Sequence, residues 1–156
     1  MTKIIFFSLT LLLITNNCGF KVVKQSEIVN FKIAEITTEG DKRINYGLKN
    51  ELSFTSTKND KQLIKINLDT KKFKNIKEKS IKNEITKYEL NIVVKVEVTK
   101  LDNLKRKEFV VQKSGDYSVE NQYSQTLNSE KKLTELLIDN LAKQILYQIR
   151  NGINDL

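Results

Sequence analysis

The chain has 156 residues, 29% of them charged and 39% apolar, with a net charge of +8. This composition suits one globular domain rather than a disordered chain. With no histidine and one cysteine, it can build no Ser-His-Asp triad, no Cys-His pair, no His-ligated zinc site and no internal disulfide.

The five glycines form neither a dinucleotide fingerprint nor a phosphate-cradling loop. Carboxylates, lysines and tyrosines are left for chemistry, and no spacing among them singles out a catalytic pair. The expectation is a protein that is not an enzyme and needs no cofactor and no metal.

In chain order, Lys3 precedes the apolar run IIFFSLTLLLI, residues 4–14. A basic flank and an eleven-residue greasy stretch fit the h-region of a signal peptide. The run is too short to span a membrane, which takes about 20 apolar residues. The only thiol, Cys18, follows after three more residues. Lipoprotein processing cuts just before a cysteine whose sulfur has received a diacylglyceryl group, so residues 1–17 read as a lipoprotein signal and Cys18 as lipid-modified. Residues 18–27 then form a lipidated tether. Thr15, Asn16 and Asn17 depart from the small residues usual before such a cysteine, and an incidental cysteine in an ordinary signal peptide is the competing explanation. Gly19 occupies the place where inner-membrane lipoproteins commonly carry aspartate. The expected location is therefore the periplasmic side of the outer membrane, away from nucleic acid.

A single domain is expected over residues 28–156. Its first strand, 28–36, carries Val29, Phe31 and Ile33 on one side. Gly40 breaks it, and Asp41 is placed to cap a helix over 42–56 in which Ile44, Leu48 and Leu52 share a face. Residues 62–70 form a second strand with Ile64, Ile66 and Leu68 aligned. A lysine-dense stretch, 71–87, separates it from the third. There Tyr88, Leu90, Ile92, Val94, Val96 and Val98 alternate with Glu89, Asn91, Val93, Lys95 and Glu97, which predicts one buried and one polar face. After a charged turn, a fourth strand puts Phe109, Val111, Tyr117 and Val119 on a common side. A helix from Ser129 to about Arg150 carries a stripe of Leu133, Leu136, Leu137, Leu141, Ile145 and Ile149, and Gly152 follows it.

This order predicts an α+β two-layer sandwich, a four-stranded mixed sheet with two helices on one face. The connection between the first two strands is long enough for a parallel crossover. The other face of the sheet stays polar. Two lysine clusters are candidate anion sites. In the turn, Lys105, Arg106 and Lys107 combine a guanidinium able to grip a phosphate bidentately with two point charges. Lys71, Lys72 and Lys74 are the second set. Ordinary solvated surface is the bland explanation for either.

An exported chain beginning CGFKVV at Cys18, with the alternating strand YELNIVVKVEV, the stretch YSVENQYSQTLNSEKKLTELL and a long C-terminal helix, resembles the LPS-assembly lipoprotein LptE family. The resemblance runs from Cys18 to about Ile149 and lies in order and length more than in any single motif. It implies an outer-membrane lipoprotein that plugs the LptD β-barrel, assists its assembly and takes part in lipopolysaccharide transport to the outer leaflet. LptD, lipopolysaccharide and the membrane would be its partners. A lipoprotein that scaffolds or activates a cell-wall synthase is the alternative. Such proteins usually carry a long linker after the cysteine, whereas here the first strand begins about ten residues on.

Overall fold

The computed structural model describes residues 31–54 and 62–152. Strand β1 (Phe31–Gly40) leads into helix α1 (Lys42–Phe54). Strands β2 (Gln62–Lys79), β3 (Ile85–Lys100) and β4 (Arg106–Ser118) follow, then helix α2 (Tyr123–Gly152). The four strands form one sheet in the order β1-β2-β3-β4, with β1 parallel to β2 and the other pairs antiparallel. Both helices cover the same face, which is the expected two-layer sandwich.

Strand β3 lies at the centre of the core because its alternation is unbroken. Leu90, Ile92, Val94, Val96 and Val98 are all buried. Ile64, Ile66 and Leu68 of β2 extend this apolar floor, and Ile44, Leu48 and Leu52 of α1 cover part of it. The two helices approach closely at Gly47: a Cβ there would lie 2.8 Å from Cδ1 of Ile138 on α2. A Cβ at Gly47 would therefore require the Ile138 side chain to shift.

The β1–α1 corner is fixed by polar contacts. Oδ1 of Asp41 accepts the backbone N–H groups of Arg43 (3.0 Å) and Ile44 (2.9 Å), so Asp41 is the N-cap and satisfies two donors the helix cannot. Gly40 adopts φ 90°, and a Cβ there would collide with the carbonyl oxygen of Thr70. The buried Thr70 hydroxyl donates to Oδ1 of Asn45 (2.8 Å), whose amide donates to the carbonyl of Glu39 (2.9 Å). These bonds lock the crossover onto β2.

Five details differ from the expectations. Strand β1 runs on to Gly40 instead of stopping at Ile36; Val29 and the strand's expected start lie outside the described residues. A register shift between Ile33 and Glu35 breaks the two-residue period, so Phe31 and Ile36 are both buried. Strand β2 continues through the lysine-dense stretch to Lys79, held by backbone pairing with β3 (Lys71 opposite Val93, Ile76 opposite Tyr88) and not by apolar alternation. Helix α2 begins at Tyr123, six residues before Ser129, and its stripe includes Ile138 and Ala142 while Leu136 is 55% exposed. At 100° per residue, the line through Leu137, Leu141 and Ile145 leaves Leu136 on the flank. Val119 falls just beyond β4 and is partly exposed.

Candidate functional site

Cys18, the expected lipid attachment, lies outside the described residues, as do the signal and tether, residues 1–27. Among the described residues no helix is long and apolar enough to cross a membrane, and no group of three His, Cys, Asp or Glu side chains is placed to hold a metal ion.

The basic turn is built by backbone bonds. The N–H of Leu104 donates to the carbonyl of Lys100 (3.0 Å), the N–H of Lys100 to that of Lys105 (3.0 Å), and the N–H of Lys105 to Oδ1 of Asn103 (3.1 Å). Leu104 adopts φ 56° and is 71% exposed. The turn joins the start of β2 through the N–H of Leu101, which donates to the carbonyl of Leu63 (2.9 Å). Lys105 is exposed, and Arg106 reaches across to Glu97, Nη1 to Oε1 3.3 Å. Lys107 points to the opposite side of the strand, as alternation requires. Its Nζ would be 2.5 Å from a Cβ at Gly152, beside the C-terminal end of α2, where the helix dipole favours a cation. The turn thus brings Lys105 and Arg106 together and sends Lys107 to the helix side.

The second lysine set divides in the same way. Lys71 is exposed on the uncovered face. Lys72 and Lys74 turn inward beneath the start of α2, each 2.9 Å from one carboxylate oxygen of Glu130. The Tyr117 hydroxyl donates to Oε2 of the same carboxylate (2.8 Å). Nζ of Lys74 also lies 4.3 Å from the ring centre of Tyr88, which stacks on Tyr117 with centroids 5.7 Å apart. Burial alone would raise the Glu130 pKa, but the bonds from Lys72, Lys74 and Tyr117 prevail and hold it down at about 2. Burial likewise works against the Lys74 ammonium, and its bonds to Tyr117 and Glu130 reverse that and push its pKa up. This latch ties β2, β3 and β4 to α2, and the sequence reading missed it. Part of it follows strand parity: Lys72 and Lys74 keep the inward positions of β2, and Tyr88 and Tyr117 sit opposite one another at inward positions of β3 and β4. Beside the latch lies an open groove of about 310 Å³ lined by Lys74, Tyr88, Val119, Tyr123, Leu127 and Glu130 among others.

The uncovered face of the sheet is laced with cross-strand ion pairs: Lys65–Glu35 (3.0 Å), Lys77–Asp116 (2.9 Å) and Lys95–Glu108 (2.8 Å). Phe73 and Val110 stand partly exposed between them. At the far end the β2–β3 turn carries a fully exposed Ile81 with Lys79 and Lys82 nearby, and closes through Asn83 at φ 63°.

No family model matches the chain, and no curated protein matches it in sequence. Solved structures do match. Rare lipoprotein B from Shewanella oneidensis aligns with 78% of this chain and 97% of its own, with a TM-score of 0.58 at 13% identity. A lipoprotein from Caulobacter crescentus aligns over 81% and 92%, with a TM-score of 0.59 at 13% identity. Lipoprotein B from Nitrosomonas europaea aligns over 88% and 93%, with a TM-score of 0.51 at 17% identity. In architecture and element order, this chain shares the fold of these bacterial lipoproteins.

Proposed function

We propose that this protein is a lipid-anchored outer-membrane lipoprotein of the LPS-assembly type. It is held by Cys18, sits as a plug in an LptD-like β-barrel, and binds the phosphate-bearing headgroup of lipopolysaccharide without turning it over. The observation that carries this reading is the asymmetry of the sandwich. One face of the sheet is covered by both helices, and the other is open, polar and ion-paired from Glu35 across to Glu108. A barrel lumen is polar and water-filled, an environment such a face tolerates without further cover. Twelve residues, Gly19–Asn30, separate Cys18 from β1, which keeps the domain close to its membrane. That supports a partner embedded in the membrane over a cell-wall synthase further away.

The proposed phosphate contacts are Lys105 and Arg106, with Lys71 on the open face, while Lys107, turned to the helix side beside Gly152, would add only positive potential. Lys72 and Lys74 already hold Glu130 and would contribute positive potential more than direct contacts. Replacing Lys105 and Arg106 with Glu is expected to weaken binding of lipopolysaccharide measured by titration. Wild-type binding should itself fall with added salt, because exposed charges are screened within about 8–10 Å at physiological ionic strength. Unchanged affinity in the double variant would remove this turn from the ligand site.

A further inference from the structure

The turn does more than present charge. Leu63, Leu101 and Leu104 are all exposed around it, and the bond from Leu101 to Leu63 gathers them at one end of the sheet. Leu104 is the telling residue. Left-handed backbone is costly for leucine and cheap for glycine or asparagine. In the β2–β3 turn the same conformation falls to Asn83, at φ 63°, whereas at φ 56° in the β3–β4 turn it falls to a leucine aimed at solvent. A residue chosen only to close the turn would not be leucine. Strain kept at an exposed apolar side chain points to something that the side chain meets.

The position of the turn says what that is. Phe31, where β1 begins, is paired with Gln62, and Ile64 is paired with Lys100. The chain arriving from Cys18 therefore enters at the turn's end of the sheet, two strand spacings or roughly 10 Å away. The β2–β3 turn lies at the other end of the 18-residue β2, roughly 55 Å off. The thirteen residues from Gly19 to Phe31 span at most about 45 Å even when extended.

We infer that the turn Leu101–Lys107 with Leu63 is a membrane seat, which rests on the anionic phospholipid leaflet holding the N-terminal anchor. Leu104 enters the interface, and Lys105 and Arg106 lie at the level of the phosphates, as amphipathic basic segments do. The inference rests on the reading that Cys18 carries lipid, and it gives the basic turn a lipid surface as its partner in addition to a single glycolipid.

The chain contains no tryptophan, so one introduced residue reports its own surroundings. Lipidated full-length Leu104→Trp and Ile81→Trp proteins are each reconstituted with vesicles of phosphatidylethanolamine and phosphatidylglycerol carrying brominated acyl chains. The seat predicts blue-shifted, quenched emission from Leu104→Trp and water-like emission from Ile81→Trp. Adding Lys105→Glu and Arg106→Glu to the Leu104→Trp protein should relieve most of the quenching while the protein still sediments with the vesicles. Three results contradict the seat. Sedimentation with water-like Leu104→Trp emission overturns it and leaves the anchor standing. Equal quenching of both reporters overturns the stated orientation. A chain that carries no lipid at Cys18 and does not sediment removes the anchor and the seat together.

Discussion

Glu130 receives three donors at one carboxylate, two of them cationic, so its negative charge is worth more in the folded protein than in the unfolded chain. Its pKa falls from the ordinary 4.5 to about 2 on folding. A depressed carboxylate adds stability that is fully present above the unfolded value and is lost as pH drops through the window from about 4.5 to about 2. Glu130→Gln should therefore lower the melting temperature at neutral pH, by the equivalent of about 1–3 kcal/mol. It should also flatten the acid limb of a melting-temperature profile between those pH values. A variant whose profile ran parallel to the wild type would assign the acid sensitivity to other carboxylates. Leu104 gives the opposite expectation. Leu104→Asn relieves left-handed strain of about 1 kcal/mol, so its melting temperature should equal or exceed that of the wild type.

At the scale of elements, β3 was legible residue by residue, because one of its faces meets the core and the other solvent. Val94→Asp would bury an unpaired charge at a cost of several kcal/mol, against a total stability of about 5–15 kcal/mol, and should leave no cooperative melt. Lys95→Asp on the other face breaks an ion pair whose partners are both more than half exposed, so the protein should stay folded with a loss near 1 kcal/mol or less. Equal damage from both would mean the register is wrong. Less legible elements lack that contrast. Beyond Thr70, β2 carries lysines on both sides and depends on β3 for its pairing. In β1, the shift after Ile33 changes which parity faces inward. The first turns of α2 are held by polar contacts, the Thr126 hydroxyl accepting the N–H of Glu120 (2.9 Å) and Glu130 gripping its lysines, and polar contacts leave no apolar period to read. The latch itself needs the register of three strands and the phase of a helix, which no local pattern contains.

For the whole molecule, the fold puts its two turn-bearing ends far apart. The chain enters beside the basic, leucine-bearing turn, and the β2–β3 turn projects from the opposite end. Cys18→Ser should abolish labelling by a fatty-acid probe and release the protein from the membrane fraction. Labelling that persisted would exclude the thiol as the attachment point. The central claim, a lipid-anchored partner of a barrel, is tested most directly by isolating the wild-type protein from detergent-solubilised outer membranes. One large β-barrel, recognised by heat-modifiable migration, should co-purify in a fixed ratio. Purification free of any barrel, from membranes in which the protein is lipidated and abundant, would contradict it.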